Sequence, residues 1–172
     1  MQVSPPSSWI ARHARLVPRG GPVLDLAAGG GRHTRFFKAL GHPVTAVDRD
    51  VSGLADLKGD AQISIIAADL EGGAPWPLGD RRFAGIVVTN YLHRPLFPKL
   101  AAALQPGGVL LYETFGIGNE RFGKPSNPDF LLQPGELLEF AQAEGLVVGA
   151  YHCGEVMAPR PAVLQRMAAV RP

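Results

Sequence analysis

Short apolar runs bounded by Gly, Pro or Asp recur along this chain, and helix-like segments separate them. The runs cover residues 22–28, 44–48, 63–69, 85–89 and 108–115. Uninterrupted apolar runs of this length are typical of parallel strands, because helices then cover both faces of the sheet. The sequence therefore predicts an α/β domain built on five parallel strands.

The segments between the runs support this prediction and extend it. Phe36, Phe37 and Leu40 have helical spacing, and so do Leu96, Leu100 and Leu104, so we predict two crossover helices. Residues 70–82 hold too many Gly and Pro residues for a helix and are predicted to form a loop.

The C-terminal part of the chain departs from the alternation. A helix is predicted from about residue 134 to 145, followed by strands at 146–153 and 162–170. We expect these two strands to pair antiparallel, because a parallel pair needs a connection of about a dozen residues or more. The predicted sheet thus has seven strands and ends in a hairpin.

The domain organisation follows from length and spacing. The 172 residues fit one domain, 1–172, without room for a separate substrate domain. Residues 1–20 are predicted to be a helical segment, in which Trp9, Ile10, His13 and Leu16 are three or four apart and Ser7 or Ser8 is the cap. Residues 116–133 fit neither period and are predicted to be a lid loop.

Charge and composition exclude several classes of protein. The net charge is only +2, with no run of like charges, so nucleic acid is not an expected partner. The single cysteine excludes an intrachain disulfide and a cysteine-based zinc site, and no metal is expected. Residues 1–8 lack the pattern of a secretory signal and no apolar run could span a bilayer, so we expect a cytoplasmic monomer or homodimer that does not bind membranes.

The most specific motif is a glycine turn after the first predicted strand. Asp25 ends that strand, Gly29-Gly30-Gly31 follows, and a helix begins at Arg32. In open α/β sheets the ligand lies beyond the carboxyl ends of the strands, so we expect a cofactor at this turn. The dinucleotide fingerprint G-x-G-x-x-G fits only in part, because Thr34 occupies its third glycine position.

Acidic residues end three successive strands and restrict the type of cofactor. Asp25 would repel a pyrophosphate but can pair with an ammonium group. Asp48 can accept both hydroxyls of a ribose, and Asp69 can hold an adenine edge together with the backbone.

In these elements the chain resembles the class I S-adenosylmethionine-dependent methyltransferases. Residues 25–31 look like their D/E-x-G/A-x-G-x-G signature, 44–48 like their second acidic strand, and 106–110 like their turn into the fifth strand. Ala27 and Ala28 depart mildly from the commoner residues of that signature. The resemblance covers nearly the whole chain and implies a Rossmann-like three-layer sandwich. The loop with Trp76-Pro77 is similar to the small-molecule branch, including the tellurite-resistance type.

The resemblance implies an enzyme that transfers a methyl group from S-adenosylmethionine to a small-molecule acceptor by in-line displacement. It places the expected cofactor contacts in the three strand ends, the glycine turn and the end of the fourth strand: Asp25, Ala27, Gly29, Gly31, Asp48, Arg49, Asp69, Leu70 and Asn90. It places three candidate catalytic residues beyond the fourth strand: Asn90, Tyr91 and His93. Tyr91 could pack beside the sulfonium, and His93 could be a base.

Two other functions stay open on the sequence alone. One is a non-catalytic module that binds S-adenosylmethionine and regulates a partner. The other is an NAD-dependent oxidoreductase, which the mismatch at Thr34 and the missing substrate domain disfavour.

Overall fold

The structure is a computed structural model that describes residues 3–172, so the first two residues of the predicted N-terminal segment lie outside it. Within that range the chain forms one seven-stranded sheet. Its strands are β1 (Val23–Leu26), β2 (Val44–Asp48), β3 (Ile63–Ala67), β4 (Phe83–Thr89), β5 (Leu104–Phe115), β6 (Val147–Val156) and β7 (Ala162–Val170). Its α-helices are α1 (Ser8–His13), α2 (Arg32–Ala39), α3 (Phe97–Ala102) and α4 (Glu136–Ala143).

The strand order β3-β2-β1-β4-β5-β7-β6 confirms the predicted Rossmann-like architecture. Strands β1 to β5 are parallel, and the strand order reverses at the neighbouring strands β1 and β4, beyond whose carboxyl ends a ligand site is expected. The predicted hairpin is also confirmed, since β6 and β7 are antiparallel. Strand β7 inserts between β5 and β6 and is antiparallel to both.

Two apolar cores lie against the sheet. The larger one joins Leu24 and Ile86 to Leu100 of α3 and to Leu137 and Phe140 of α4. The smaller one joins Trp9 and Ile10 of α1 and Phe37 of α2 to strand residues of β1, β2, β4 and β5. Together they make three layers with the sheet in the middle, as predicted.

The N-terminal helix forms with the predicted cap. The Ser7 side chain accepts hydrogen bonds from the backbone N–H groups of Trp9 and Ile10 at the start of α1. Leu16, however, was predicted to share the packed face and is 44% exposed. The chain leaves the α-helical geometry at residue 14 and continues as a 3-10 helix, Ala14–Leu16, so the helical spacing no longer applies to Leu16.

The connections differ from the sequence-based expectation at two points. Leu104 was predicted on the second crossover helix, but α3 ends at Ala102 and Leu104 begins β5. A 3-10 helix, Ser52–Leu57, which the sequence did not predict, connects β2 and β3. No helix within residues 3–172 is both long and apolar enough to cross a membrane.

The two long loops carry no α-helix, as predicted. In the 70–82 loop, Leu78 is buried. In the 116–133 loop, two 3-10 helices form, Asn119–Arg121 and Pro128–Phe130. Its far end is anchored, because Leu131 and Leu132 are buried and Arg94 donates hydrogen bonds to the backbone oxygens of Asp129 and Leu131.

Candidate functional site

The glycine turn forms a tight left-handed connection between β1 and α2. Ala27, Gly29 and Gly31 have φ values of 56°, 52° and 74°. The Gly31 N–H donates to the Ala28 oxygen at 2.8 Å. A Cβ at Gly31 would lie 2.3 Å from Leu54 Cδ2, so both the backbone conformation and the packing require glycine there. Ala27 has no such freedom and holds a strained conformation.

Asp48 fixes the turn from the end of β2. Its Oδ2 accepts a hydrogen bond from the Gly29 N–H at 2.7 Å, and its Oδ1 accepts one from the Asp50 N–H at 2.9 Å. An ionised carboxylate has about four acceptor positions. Two of them therefore remain for hydroxyl donors on this half-buried side chain.

The 3-10 helix after β2 closes against the turn, and this contact was missed by the sequence analysis. A Cβ at Gly53 would lie 3.0 Å from Gly30 Cα, so the two backbones approach as only glycines allow. Arg35 donates a hydrogen bond to the Gly30 oxygen at 2.6 Å and forms an ion pair with Asp56 of the same 3-10 helix. Nothing in the local sequence links residues so far apart in the chain.

Asp25 lies under the turn and is almost completely buried. It is 2% exposed, and its Oδ2 accepts a hydrogen bond from the Thr34 hydroxyl at 2.6 Å. Burial raises the pKa of the carboxyl group to about 6, although the Thr34 bond and the nearby Arg32 lower it. The predicted ammonium partner is thus a desolvated acid held by α2, beneath the surface that a ligand would touch.

A groove of about 760 Å³ opens over the turn. Its walls come from the N-terminal segment, the glycine turn, the start of α2, the 3-10 helix and the end of β4: Val3, Ser4, Ala27, Ala28, Gly29, Gly30, Arg32, His33, Arg35, Ser52, Gly53, Ala55, Asp56, Thr89 and Asn90. Ligand sites in proteins commonly measure about 300–1,000 Å³. Of the predicted cofactor residues, Ala27, Gly29 and Asn90 line the groove, whereas Asp25, Gly31 and Asp48 do not.

Two further cavities adjoin the groove at Asn90. One, of about 610 Å³, lies under the 116–133 loop, and the other, of about 620 Å³, lies between the N-terminal segment and strands β5 and β7. Asn90 lines all three spaces. Its φ of 54° places it in the left-handed region, which Asn tolerates better than most residues. The geometry makes Asn90 the junction of the site.

The N-terminal segment forms part of both the groove and a neighbouring cavity, and His33 holds it there. The Ser7 N–H donates to His33 Nε2 at 3.1 Å, so the neutral ring carries its proton on Nδ1, which lies 3.4 Å from Thr89 Oγ1. Burial, with a smaller effect of Arg32, lowers the pKa of His33 to about 3. His33 is only 2% exposed, so this residue of the first turn of α2 is buried in the fold.

The other predicted catalytic residues, Tyr91 and His93, line none of the three cavities. Tyr91 packs against the larger core, and burial together with the nearby carboxylates of Glu71, Asp69 and Asp48 raises the pKa of its hydroxyl. A hydroxyl that stays protonated is a poor base. His93 precedes the short 3-10 helix Arg94–Leu96 and lines none of the three cavities.

The remaining predicted cofactor residues lie beyond β2 and β3. Arg49 and Asp69 are exposed, and Asp69 Oδ1 accepts a hydrogen bond from the Glu71 N–H at 3.0 Å. Leu70 packs against the larger core. None of these three residues lines the groove.

No protein-family model matches the chain, and no curated protein matches it by sequence. Solved structures do match its fold. The 1,6-didemethyltoxoflavin-N1-methyltransferase of Burkholderia thailandensis, solved with 1,6-didemethyltoxoflavin and S-adenosylhomocysteine, is 24% identical, with a TM-score of 0.68 over 92% of this chain and 74% of that one.

Two further structures are similar. TehB from Haemophilus influenzae is 19% identical, with a TM-score of 0.76 over 99% of this chain and 64% of its own. The glycopeptide N-methyltransferase MtfA, complexed with sinefungin, is 23% identical, with a TM-score of 0.65 over 96% of this chain and 93% of its own. The structural neighbours are thus S-adenosylmethionine-dependent methyltransferases, including the TehB type, and this chain has their fold.

Proposed function

We propose that this protein binds S-adenosylmethionine in the groove over the glycine turn and transfers its methyl group to a small-molecule acceptor. One observation carries the proposal: Asn90, at the end of β4, lines the groove and both adjoining cavities. A donor and an acceptor in separate spaces would therefore meet at a single side chain, as a two-substrate transfer requires.

The residues that line the groove or support its turn fit the proposed cofactor. Asp48 keeps acceptor positions for the ribose hydroxyls, and the open backbone at Gly29 and Gly30 lets a ligand approach closely, because a Cβ added at either position would meet no atom within 4 Å. Asp25 supplies a negative charge beneath the turn for an ammonium group. When bound, the cofactor would supply a methyl group already activated by its sulfonium.

The chain's own contribution is then positioning and exclusion of water. Alignment of two reactants lowers a barrier by about 7–11 kcal/mol in favourable cases. The Asn90 amide offers a carbonyl oxygen and an N–H group at the junction. The N-terminal segment, held by the bond from Ser7 to His33, covers the junction from one side. Asn90 remains our proposed catalytic residue, whereas Tyr91 and His93 have no support from the cavity geometry.

The small-molecule acceptor is supported by the neighbours, whose names include a toxoflavin and a glycopeptide methyltransferase. The cytoplasmic location, the single-domain organisation, the monomeric or dimeric state and the absence of a nucleic-acid partner stay predictions from the sequence.

Calorimetry on the full chain with S-adenosylhomocysteine and with NAD tests the cofactor. We expect saturable binding of the former and none of the latter, and the reverse result would overturn the proposal. Incubation with methyl-labelled S-adenosylmethionine and a panel of small metabolites then tests for transfer. Binding without transfer to any acceptor would favour the regulatory module over an enzyme.

A further inference from the structure

The two cavities that adjoin the groove carry a strong excess of positive charge. Four cationic side chains line them, Arg32, Lys124, Arg160 and Arg166, against a single carboxylate, that of Glu113. We call the two cavities together the acceptor chamber, because they share Asn90, Phe115 and Arg160. The whole chain is nearly neutral, so this concentration of charge is local.

The one carboxylate is already neutralised. Glu113 Oε2 lies 2.7 Å from Arg166 Nε, and the side chains of the pair are only 7% and 15% exposed. The guanidinium of Arg166 also lies over the ring of Trp9, 5.9 Å from its centroid. The buried ion pair of Glu113 and Arg166 therefore adds little net charge to the lining of the acceptor chamber.

The other three cations have no acidic partner. Among residues 3–172, no carboxylate lies within 4 Å of the charged nitrogens of Arg32, Lys124 or Arg160. Other cations of this chain do pair, for example Arg35 with Asp56. Unpaired cations around a concave site attract an anionic ligand.

The chamber also has an apolar side. Phe115, Ala162 and Leu164 are buried in a small core cluster of their own, with Val156 packed against it, and all four line the chamber. Phe130 adds a second aromatic ring from the 116–133 loop. A simple inorganic oxyanion has no surface to bury against such walls, whereas an organic molecule has.

We infer that the methyl acceptor is an organic anion, a molecule with an apolar body and a carboxylate or similar group. Its apolar part would pack against the Phe115 side of the chamber, and its negative charge would face Arg160 and Lys124. This inference rests on the proposed function, because it identifies the second substrate of the same site.

Three probes of similar size test the charge preference: benzoate, benzamide and benzylammonium. Their dissociation constants are measured by ligand-observed NMR on the full chain, with saturating S-adenosylhomocysteine and without it. We expect benzoate to bind at least fivefold more tightly than benzamide, and benzylammonium not to bind. Equal binding of the three probes would overturn the inference.

Charge-removing variants locate the interaction. Arg160→Gln and Lys124→Gln should each weaken benzoate binding about three- to tenfold and leave S-adenosylhomocysteine binding unchanged. Arg82→Gln is the matched control, because Arg82 is an exposed arginine just before the amino end of β4, and Asn90 follows the opposite end of that strand. Wild-type affinity for benzoate in both chamber variants would contradict the assignment, and melting temperatures establish that each variant is folded.

Sulfate distinguishes an organic anion from a bare one. We expect sulfate to displace benzoate only at concentrations well above that of benzoate, and displacement at equal concentration would refute the apolar part of the inference. The two proposals fail differently. If S-adenosylhomocysteine fails to bind and benzoate is still preferred, the proposed function is wrong and what remains is a site for organic anions. If S-adenosylhomocysteine binds and benzoate is not preferred, the proposed function stands and the organic-anion inference is wrong.

Discussion

Substitution of Asp25 by asparagine should stabilise the protein progressively as the pH rises. The folded-state pKa of Asp25 is about 6, because burial raises it from the ordinary aspartate value of 3.8. A raised pKa means that Asp25 binds its proton more tightly in the folded state than in the unfolded state. The contribution of this proton to the free energy of unfolding is therefore fully present below pH 3.8 and is lost as the pH rises through 6. The shift corresponds to about 3 kcal/mol at 1.36 kcal/mol per unit. Asparagine does not titrate and escapes this loss.

The pH-dependent part of this effect is separable from the other consequences of the substitution. A pH-independent change in the free energy of unfolding, such as the cost of burying the asparagine NH2 group, has the same size at every pH. We therefore expect the free energy of unfolding of Asp25→Asn, relative to wild type, to rise by about 2–3 kcal/mol between pH 4 and pH 7. The Thr34 hydroxyl can still donate to the amide oxygen, so the local structure should persist.

Urea unfolding followed by circular dichroism at pH 4, 5, 6 and 7 measures the difference. Asp50→Asn is the control, because the Ser52 hydrogen bonds lower the pKa of that exposed aspartate, so it should show no such gain between pH 4 and pH 7. A constant difference between Asp25→Asn and wild type across this range would show that Asp25 is not a desolvated acid and would refute the reasoning.

Four further expectations concern the site. Asp48→Ala should weaken the binding of S-adenosylhomocysteine, measured by calorimetry, by about 1.5–3 kcal/mol, and Asp48→Asn should weaken it by less. Wild-type affinity would refute the assignment of Asp48 to the ribose hydroxyls. Ala27→Gly should raise the free energy of unfolding in urea by about 0.5–1 kcal/mol, because glycine adopts a φ of 56° without strain. His33→Leu should lower the free energy of unfolding by about 1–2 kcal/mol and speed amide hydrogen exchange at Ser7, because the Ser7 N–H loses its acceptor. Unchanged exchange at Ser7 would show that His33 does not hold the N-terminal segment. Gly53→Ala should weaken the binding of S-adenosylhomocysteine in calorimetry, because the added Cβ would lie 3.0 Å from Gly30 Cα and displace the glycine turn.

Local pattern was sufficient for most of the fold. Strands β2 and β7 have the predicted bounds, because the apolar residues of a buried strand and the turn residues beside it are consecutive in the sequence. Prediction was poorest where helix and strand meet. Leu104 has the spacing of a crossover helix, yet α3 stops two residues earlier, because pairing of Leu104 with Phe83 in the sheet outweighs a helical preference.

The candidate site divides in the same way. The sequence alone identified the glycine turn and the acidic ends of β1 and β2, since a turn needs particular residues at fixed spacing. It could not show that Asn90 joins three cavities or that His93 lies outside them, because side-chain direction depends on the conformation of the loop after β4.

The sequence by itself therefore determined the α/β architecture, the position of the turn and the carboxylates around it, all of which depend on neighbours within a few residues. Only the tertiary structure decided the burial of Asp25, the contact of Gly53 with the turn and the grouping of Lys124 with Arg160. The physical reason is that desolvation, close backbone approach and local charge density are set by atoms distant in the chain.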